Sequence, residues 1–267
     1  MKSKFVFTAL LAGILFFSSG ISENLRAQDH SYRYSAHSKV EVKKAEKLRM
    51  KLTMVAGELN FEGKNMPQLY SGEYLYDDAE YGNPEVKYRV DDKIGRMIVG
   101  QGDMEDVEID IDDEEASCVW NIGLKKDIPQ ELIIKQGFGE ANIDLEGSAL
   151  KKFIFETKVG KADINLRNTS VPMFSCKAIA GEATIDLTGK WKNDLHAIIK
   201  GGVGNLNLKL PSGCNLHVVA NGILGNIDAP GLRRRGDTYS QEVSNSRPTL
   251  YIDITGGIGN IYLNIEE

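Results

Sequence analysis

A glycine recurs along this chain in a fixed setting, and that recurrence limits what the chain can fold into. The segments AGELNF, IGRMIV, FGEANIDL, VGKADINL, AGEATIDL, VGNLNLKL, LGNIDA and IGNIYLNI share one pattern. Each places an apolar residue, a Gly, a mostly polar residue and then an apolar/polar alternation. The eight glycines are Gly57, Gly95, Gly139, Gly160, Gly181, Gly204, Gly225 and Gly259. From Gly139 onward the intervals are 21, 21, 23, 21 and 34 residues, and the last holds an insertion of about 13.

Aligning the copies on Gly gives columns. Seven positions before it stand Met50, Tyr88, Leu132, Phe153, Phe174, Ala197, Val218 and Ile252. Five before stand Leu52, Val90, Ile134, Phe155, Cys176, Ile199, Ala220 and Ile254. One before, and two after, every residue is again apolar, and Val203, Leu206, Leu208 and Leu210 read as core in the Gly204 copy. Period-2 alternation of this kind marks strands with one buried face. The positions one before and two after Gly have opposite parity, so the chain must turn or kink at the Gly. The column three before Gly (Met54, Asp92, Gln136, Thr157, Ala178, Gly201, Gly222, Gly256) is small or polar, which fits either a narrow interior or a bulge.

Two all-β folds satisfy the pattern. In a β-solenoid each stretch of about 21 residues is one rung, and like stacks on like. In an antiparallel meander, Gly-Lys or Gly-Asn would be a two-residue hairpin loop. Constancy of every column favours the solenoid. So does the alternation Glu140, Lys161, Glu182 just after Gly, since stacked rungs would pair these charges.

From about Met50 to Glu267 the chain resembles the toast-rack family, which shares a domain of unknown function with LiaF-like, cell-wall-active antibiotic response proteins. The segments that carry the resemblance are GELNFEG, YLYDDAEYGNPEVKYRV, IGRMIVGQ, WNIGLKKDIPQELIIKQGFGEANIDLEG and the G-x-A-x-I-x-L repeats after it. The Trp120 segment is the most specific of them. The resemblance implies a pile of β-rungs and no catalytic motif. LiaF-like members carry transmembrane helices ahead of this domain. Here MKSK and the apolar run Phe5–Phe17 lay out a secretory signal instead, with cleavage after Ala27.

The expected organisation is a signal peptide at 1–27, a polar segment or first edge element at 28–48, and a solenoid over 49–267. An acidic insertion occupies 103–117 and a basic polar loop 231–248, after which the final rung closes the stack. A net charge of −6 argues against nucleic acid as a partner. Three cysteines make no disulfide framework; Cys176 reads as core, and a Cys118–Cys214 bridge is left open.

Chemistry is sparse. KGGVGNLNLKL lacks the following helix and the Lys-Ser/Thr pair of a phosphate loop, and it is one repeat copy among many. The acidic insertion lacks the Gly and the order of an EF-hand loop, so it reads as a solvated loop. His30, His37, His196 and His217 are scattered, with no metal spacing. Arg235-Gly236-Asp237 reads as part of a basic surface loop. Asp144 and Asp186 share a column two rungs apart, roughly 9–10 Å, near the upper end for an inverting glycosidase pair. The column three after Gly includes Asn142, Asp163 and Asn207, which form either a hydrogen-bond ladder or a polar strip that meets a glycan. No cofactor or metal is expected. The reading is an exported, non-catalytic envelope or surface protein that scaffolds or binds an envelope polymer, glycan or envelope protein. The alternatives are a carbohydrate-active enzyme on a solenoid and an envelope-stress regulator of the LiaF-like type.

Overall fold

The computed structural model describes residues 34–42, 44–76, 84–100 and 118–267, and among these every regular element is a strand. The export signal expected at 1–27 and the acidic insertion lie outside the described residues. Strands are β1 (Tyr34–Val40), β2 (Lys47–Ala56), β3 (Glu58–Lys64), β4 (Tyr70–Tyr76), β5 (Glu85–Asp91) and β6 (Ile94–Gly100). They continue as β7 (Cys118–Lys125), β8 (Gln130–Asp144), β9 (Leu150–Asn165), β10 (Met173–Asp186), β11 (Leu195–Val203) and β12 (Leu206–Pro211). The last are β13 (Asn215–Leu224), β14 (Ile227–Asp228), β15 (Arg233–Arg235), β16 (Thr238–Gln241), β17 (Thr249–Ile258) and β18 (Ile261–Glu266).

Each rung is a strand bent at its glycine, so the stack has two wings. The first wing runs β5–β6–β2–β8–β9–β10–β11–β17–β13–β16–β15. The second runs β1–β4–β7–β3–β8–β9–β10–β12–β18–β14. Pairing is parallel through the middle of both wings, the mark of a solenoid rather than a meander. Among the described residues antiparallel pairs stand only at three of the four wing ends: β5–β6, β1–β4–β7 and β13–β16–β15. These strands cover the parallel edges there, while the second wing ends on the two-residue β14, parallel to β18.

The core lies between the wings, and its columns are those of the sequence. Leu132, Phe153, Phe174, Ala197, Ile252 and Val218 pile up, as do Ile143, Ile164, Ile185, Leu208 and Leu263, all buried. Phe153 and Phe174 stack with ring centroids 5.6 Å apart and planes 18° from parallel.

Seven of the eight repeat glycines are corners with positive φ: Gly57, Gly139, Gly160, Gly181, Gly204, Gly225 and Gly259. A methyl group built on Gly160 would run into the Gly139 carbonyl oxygen, and one on Gly181 into that of Gly160. Close approach and positive φ (144° at Gly160) both demand the missing Cβ. Gly95 is the exception. It lies inside β6, paired with Leu48, in a hairpin turned by Asp92 (φ 47°) and Lys93 (φ 64°). Two successive positive φ values there make a tight primed turn. The alternation around Gly95 belongs to that hairpin, and the structural repeat is sevenfold.

Three further expectations change. The residue before each corner does not point inward: Phe138, Val159, Val203, Ile258 and Leu224 are 38–70% exposed. The kink spans two residues, so this side chain swings outside and forms an apolar ridge along the corner. Inside the corner stands the column three before Gly. Met54, Gln136 and Thr157 fill it, and Gln136 Nε2 donates to the carbonyls of Gly57 (2.8 Å) and Glu140 (3.0 Å). Toward the C-terminal end Ala178, Gly201 and Gly256 leave a narrow apolar cleft there. The final rung, β17–β18, does not close the stack. It inserts between β11–β12 and β13–β14, because the segment after β14 returns as the β15–β16 hairpin and occupies the free edge of β13. Much of the expected basic loop is therefore that hairpin.

All three cysteines are buried thiols outside any disulfide, so Cys118 and Cys214 do not bridge. Burial pushes the Cys118 thiol up to about 11, against a small lowering by Trp120, and the Cys176 thiol up to about 12, from an ordinary 9.0.

Two outcomes follow from this packing. Gly160→Ala should lower stability by at least about 3 kcal/mol in urea unfolding. Gly147→Ala, with φ 66° and open space around it, should cost roughly 1–2 kcal/mol. Between about pH 9 and 11 the unfolded thiols of Cys118 and Cys176 ionise while the folded ones keep their protons, so stability falls with rising pH by up to about 1.4 kcal/mol per unit per thiol. Cys176→Val should remove one thiol's share of that slope, read as the difference in urea midpoints between the variant and the native protein.

Candidate functional site

Alternation turns every second residue of the second wing outward, and stacking lines these residues up across strands. They form an open groove of about 910 Å³ over β1, β4, β7, β3, β8, β9, β10 and β12. Its lining is polar, with the carboxylates of Glu62, Glu73, Asp144, Asp163 and Asp186 and the amides of Asn60, Asn121, Asn142 and Asn165. Lys39 at one end, Lys64, and Lys209 at the other add cationic groups, and His37 adds an imidazole.

One file of the groove is a directional amide ladder. Asn142 Nδ2 donates to Asn60 Oδ1 (3.0 Å), Asn60 Nδ2 to Asn121 Oδ1 (3.1 Å), and Asn121 Nδ2 to Glu73 Oε2 (3.1 Å). The ladder ends on a carboxylate, which accepts more strongly than an amide oxygen. Beyond Asn142 the file continues through Asp163, Thr184, Asn207 and Tyr262, each paired with the next by strand register. Asp163 holds Lys161 at 2.8 Å, and Asn207 Oδ1 accepts from Asn264 Nδ2 at 3.1 Å. Asn142 and Asp163 therefore line the groove side by side, and Asn207 stands on the same file two strands past Asp163.

Asp144 and Asp186 also line the groove, with Asn165 between them in register. Both are engaged. Asp144 Oδ1 accepts from Asn165 Nδ2 and from the Glu146 amide, each at 3.0 Å. Asp186 Oδ1 accepts from the Thr188 amide at 2.8 Å and the Thr188 hydroxyl at 2.6 Å. Each carboxylate fixes the turn that follows its strand, a structural task that already occupies its Oδ1. Among the described residues no group of three or more His, Cys, Asp or Glu side chains is placed to hold a metal.

Three groupings escape a reading of the sequence. His37 reaches the groove because β1 pairs antiparallel with β4. On the first wing His196 and Tyr251 stack with centroids 5.1 Å apart, and His217 flanks the same ring at 6.0 Å. The insertion of β17 between β11 and β13 creates this row, and no local signal announces a rung order. The third is the set Arg89, Arg96 and Arg49 on β5, β6 and β2, at the end of the first wing opposite to β15. Arg235 and Asp237 flank the turn of the β15–β16 hairpin at Gly236, where Arg234 Nε donates to the Gly236 carbonyl (3.1 Å) and its guanidinium lies 5.4 Å from the Tyr239 ring centroid.

Fold and groove together define a parallel β-solenoid with a lateral polar groove and antiparallel strands at three of its four wing ends. Residues 28–177 and 154–209 match the model of the N-terminal domain of toast_rack, DUF2154. The chain belongs to that family. No curated protein matches it. Among solved structures, a candidate cell adhesion protein from Clostridium sporogenes is 25% identical, covers 87% of this chain and 99% of its own, and has a TM-score of 0.66. A candidate adhesin from Bacteroides fragilis is 10% identical over 86% of this chain and 98% of its own, with a TM-score of 0.26.

Proposed function

We propose that this protein is an exported, non-catalytic cell-surface or envelope β-solenoid that binds an extended glycan or other envelope polymer along the second-wing groove. One observation carries the reading. The groove repeats the same polar chemistry at the strand spacing of about 4.8 Å, over a file from Glu73 to Thr184 that Asn207 extends by one strand beyond the groove lining. A regular row of amides and carboxylates suits a ligand that itself repeats, such as a polysaccharide with hydroxyls at regular intervals. Open access along the file suits a chain rather than a compact molecule. The likeness to the Clostridium sporogenes candidate cell adhesion protein supports a binding role at a surface, and the signal-peptide pattern at 1–27 supports export. Asn142, Asp163 and Asn207 are the residues assigned to ligand contact. Hydrolysis is disfavoured by the engagement of Asp144 and Asp186 in their own turns.

The test is a binding panel of purified envelope polysaccharides against the native protein and the triple variant Asn142→Ala, Asp163→Ala, Asn207→Ala. Native protein should bind at least one polymer, and the variant should bind it roughly tenfold or more weakly with an unchanged thermal midpoint. Equal binding by the variant overturns the site. Release of reducing ends from any bound polymer overturns the non-catalytic reading.

A further inference from the structure

The first wing carries a second groove, of about 570 Å³, whose character is opposite to that of the first. Its polar lining is basic: Arg49, Lys51, Lys87, Arg89, Arg96 and Lys152, with Glu131 as the one carboxylate. This concentration stands out on a chain of net charge −6. Strand register sharpens it. Arg89 of β5 lies opposite Arg96 of β6, and Arg96 opposite Arg49 of β2. Glu131 and Lys152 then follow on β8 and β9. Three arginines thus stand abreast on three adjacent strands, in a file that spans about 19 Å across five strands.

Like charges placed opposite one another destabilise a sheet. Elsewhere some columns alternate in sign, as where Lys135 meets Glu156 at 2.8 Å and Lys161 lies between Glu140 and Glu182, and like charges face each other only as isolated pairs among the described residues, Lys64–Lys125, Glu62–Asp144 and Lys177–Lys200. At the arginine file the charges are only partly compensated. Asp91 is shared by Arg89 (3.1 Å) and Arg96 (3.4 Å), and Glu131 holds Arg49 (3.2 Å). Lys87 pairs with Glu85, which lies outside the lining. Among the described residues Lys51 and Lys152 have no carboxylate within 4.0 Å. The arginine forks remain exposed by 41–74%, so they keep donors for an incoming anion.

We infer that this groove is a binding site for an extended, phosphate-bearing polyanion, laid across the strands along the Arg89–Arg96–Arg49–Lys152 file. Guanidinium forks match phosphate oxygens two at a time, and cations repeated at strand spacing meet successive charges of a linear chain. A concave surface does not suit a flat bilayer, and Ile98 and Ile133 are the apolar side chains between the lysines. This site is on the other wing from the polysaccharide groove and stands or falls independently of it.

The experiment is titration calorimetry with inorganic polyphosphate on the intact protein, at low and at moderate salt. Binding should be present at low salt and should weaken steeply as salt rises, through release of condensed counterions. The variant Arg49→Gln, Arg89→Gln, Arg96→Gln should lose roughly tenfold or more in affinity. Its thermal midpoint should be unchanged or raised, because like-charge repulsion is relieved. The triple variant Lys158→Gln, Lys190→Gln, Lys192→Gln, at exposed positions outside the groove, removes the same number of charges and should bind as the native protein does. No binding at low salt, or full binding by the arginine variant, overturns the proposal. Equal affinity for poly-glutamate reduces the site to unspecific charge attraction and overturns its phosphate assignment. Binding to vesicles of anionic phospholipid without binding to polyphosphate overturns it in favour of a membrane surface.

Discussion

The stack depends on contact between the backbone of one corner and the backbone of the next. From Gly139 through Gly160, Gly181 and Gly204 to Gly259 and Gly225, each corner glycine packs where the neighbouring rung's glycine carbonyl leaves no room for a Cβ, and at Gly57 the Cys118 carbonyl does the same. That contact fixes the register of both wings at once, because the glycine is the pivot they share. A slip of one residue would turn each apolar column to the solvent side. Where side chains fit inside the corner they help to hold it, as Gln136 does by donating to the carbonyls on either side.

Once register is fixed, stacking acts on the outer face as well. Like on like is favourable for apolar and amide columns, since aromatic rings stack and each Asn can donate to the next. It is unfavourable for charges of one sign, and the arginine file sets three of them abreast, whereas the Asn142–Asn60–Asn121–Glu73 ladder satisfies each amide with the next. The two grooves therefore differ in kind: one is a satisfied polar row open to hydroxyls, the other an under-compensated row open to anions. The ridge of Phe138, Val159, Val203, Ile258 and Leu224 runs along the corner between the wings.

Chain order and rung order part company at the C-terminus. β17 and β18 are the last strands, yet they lie second from the end of the stack. Every rung presents nearly the same pair of edges, so its sequence does not say which neighbours it takes. The choice is made by the β15–β16 hairpin, which covers β13 and leaves the inner slot for the last rung. The row of His196, Tyr251 and His217 exists only because of that choice.

The sequence by itself determined the rung. Period-2 columns and a recurring Gly require a bent strand with one buried face, and constancy of the columns favours stacking over a meander; those are local and nearest-neighbour constraints, written in residue type. It also determined that Asn142, Asp163 and Asn207 would share one file, since equal offsets from a corner stack. Three things lay beyond it. Gly95 sits in the same apolar pattern but belongs to a hairpin, because the turn at Asp92 and Lys93 is set by backbone angles that the pattern does not encode. Val203 and its equivalents are apolar yet outside, because a two-residue kink breaks the parity by which inward residues are counted. The arginine file joins strands whose partners, β5 with β6 and β6 with β2, follow from which edges were left open. Tertiary structure decided these, since the pairing of strand edges depends on what else competes for them and not on the residues of either strand alone.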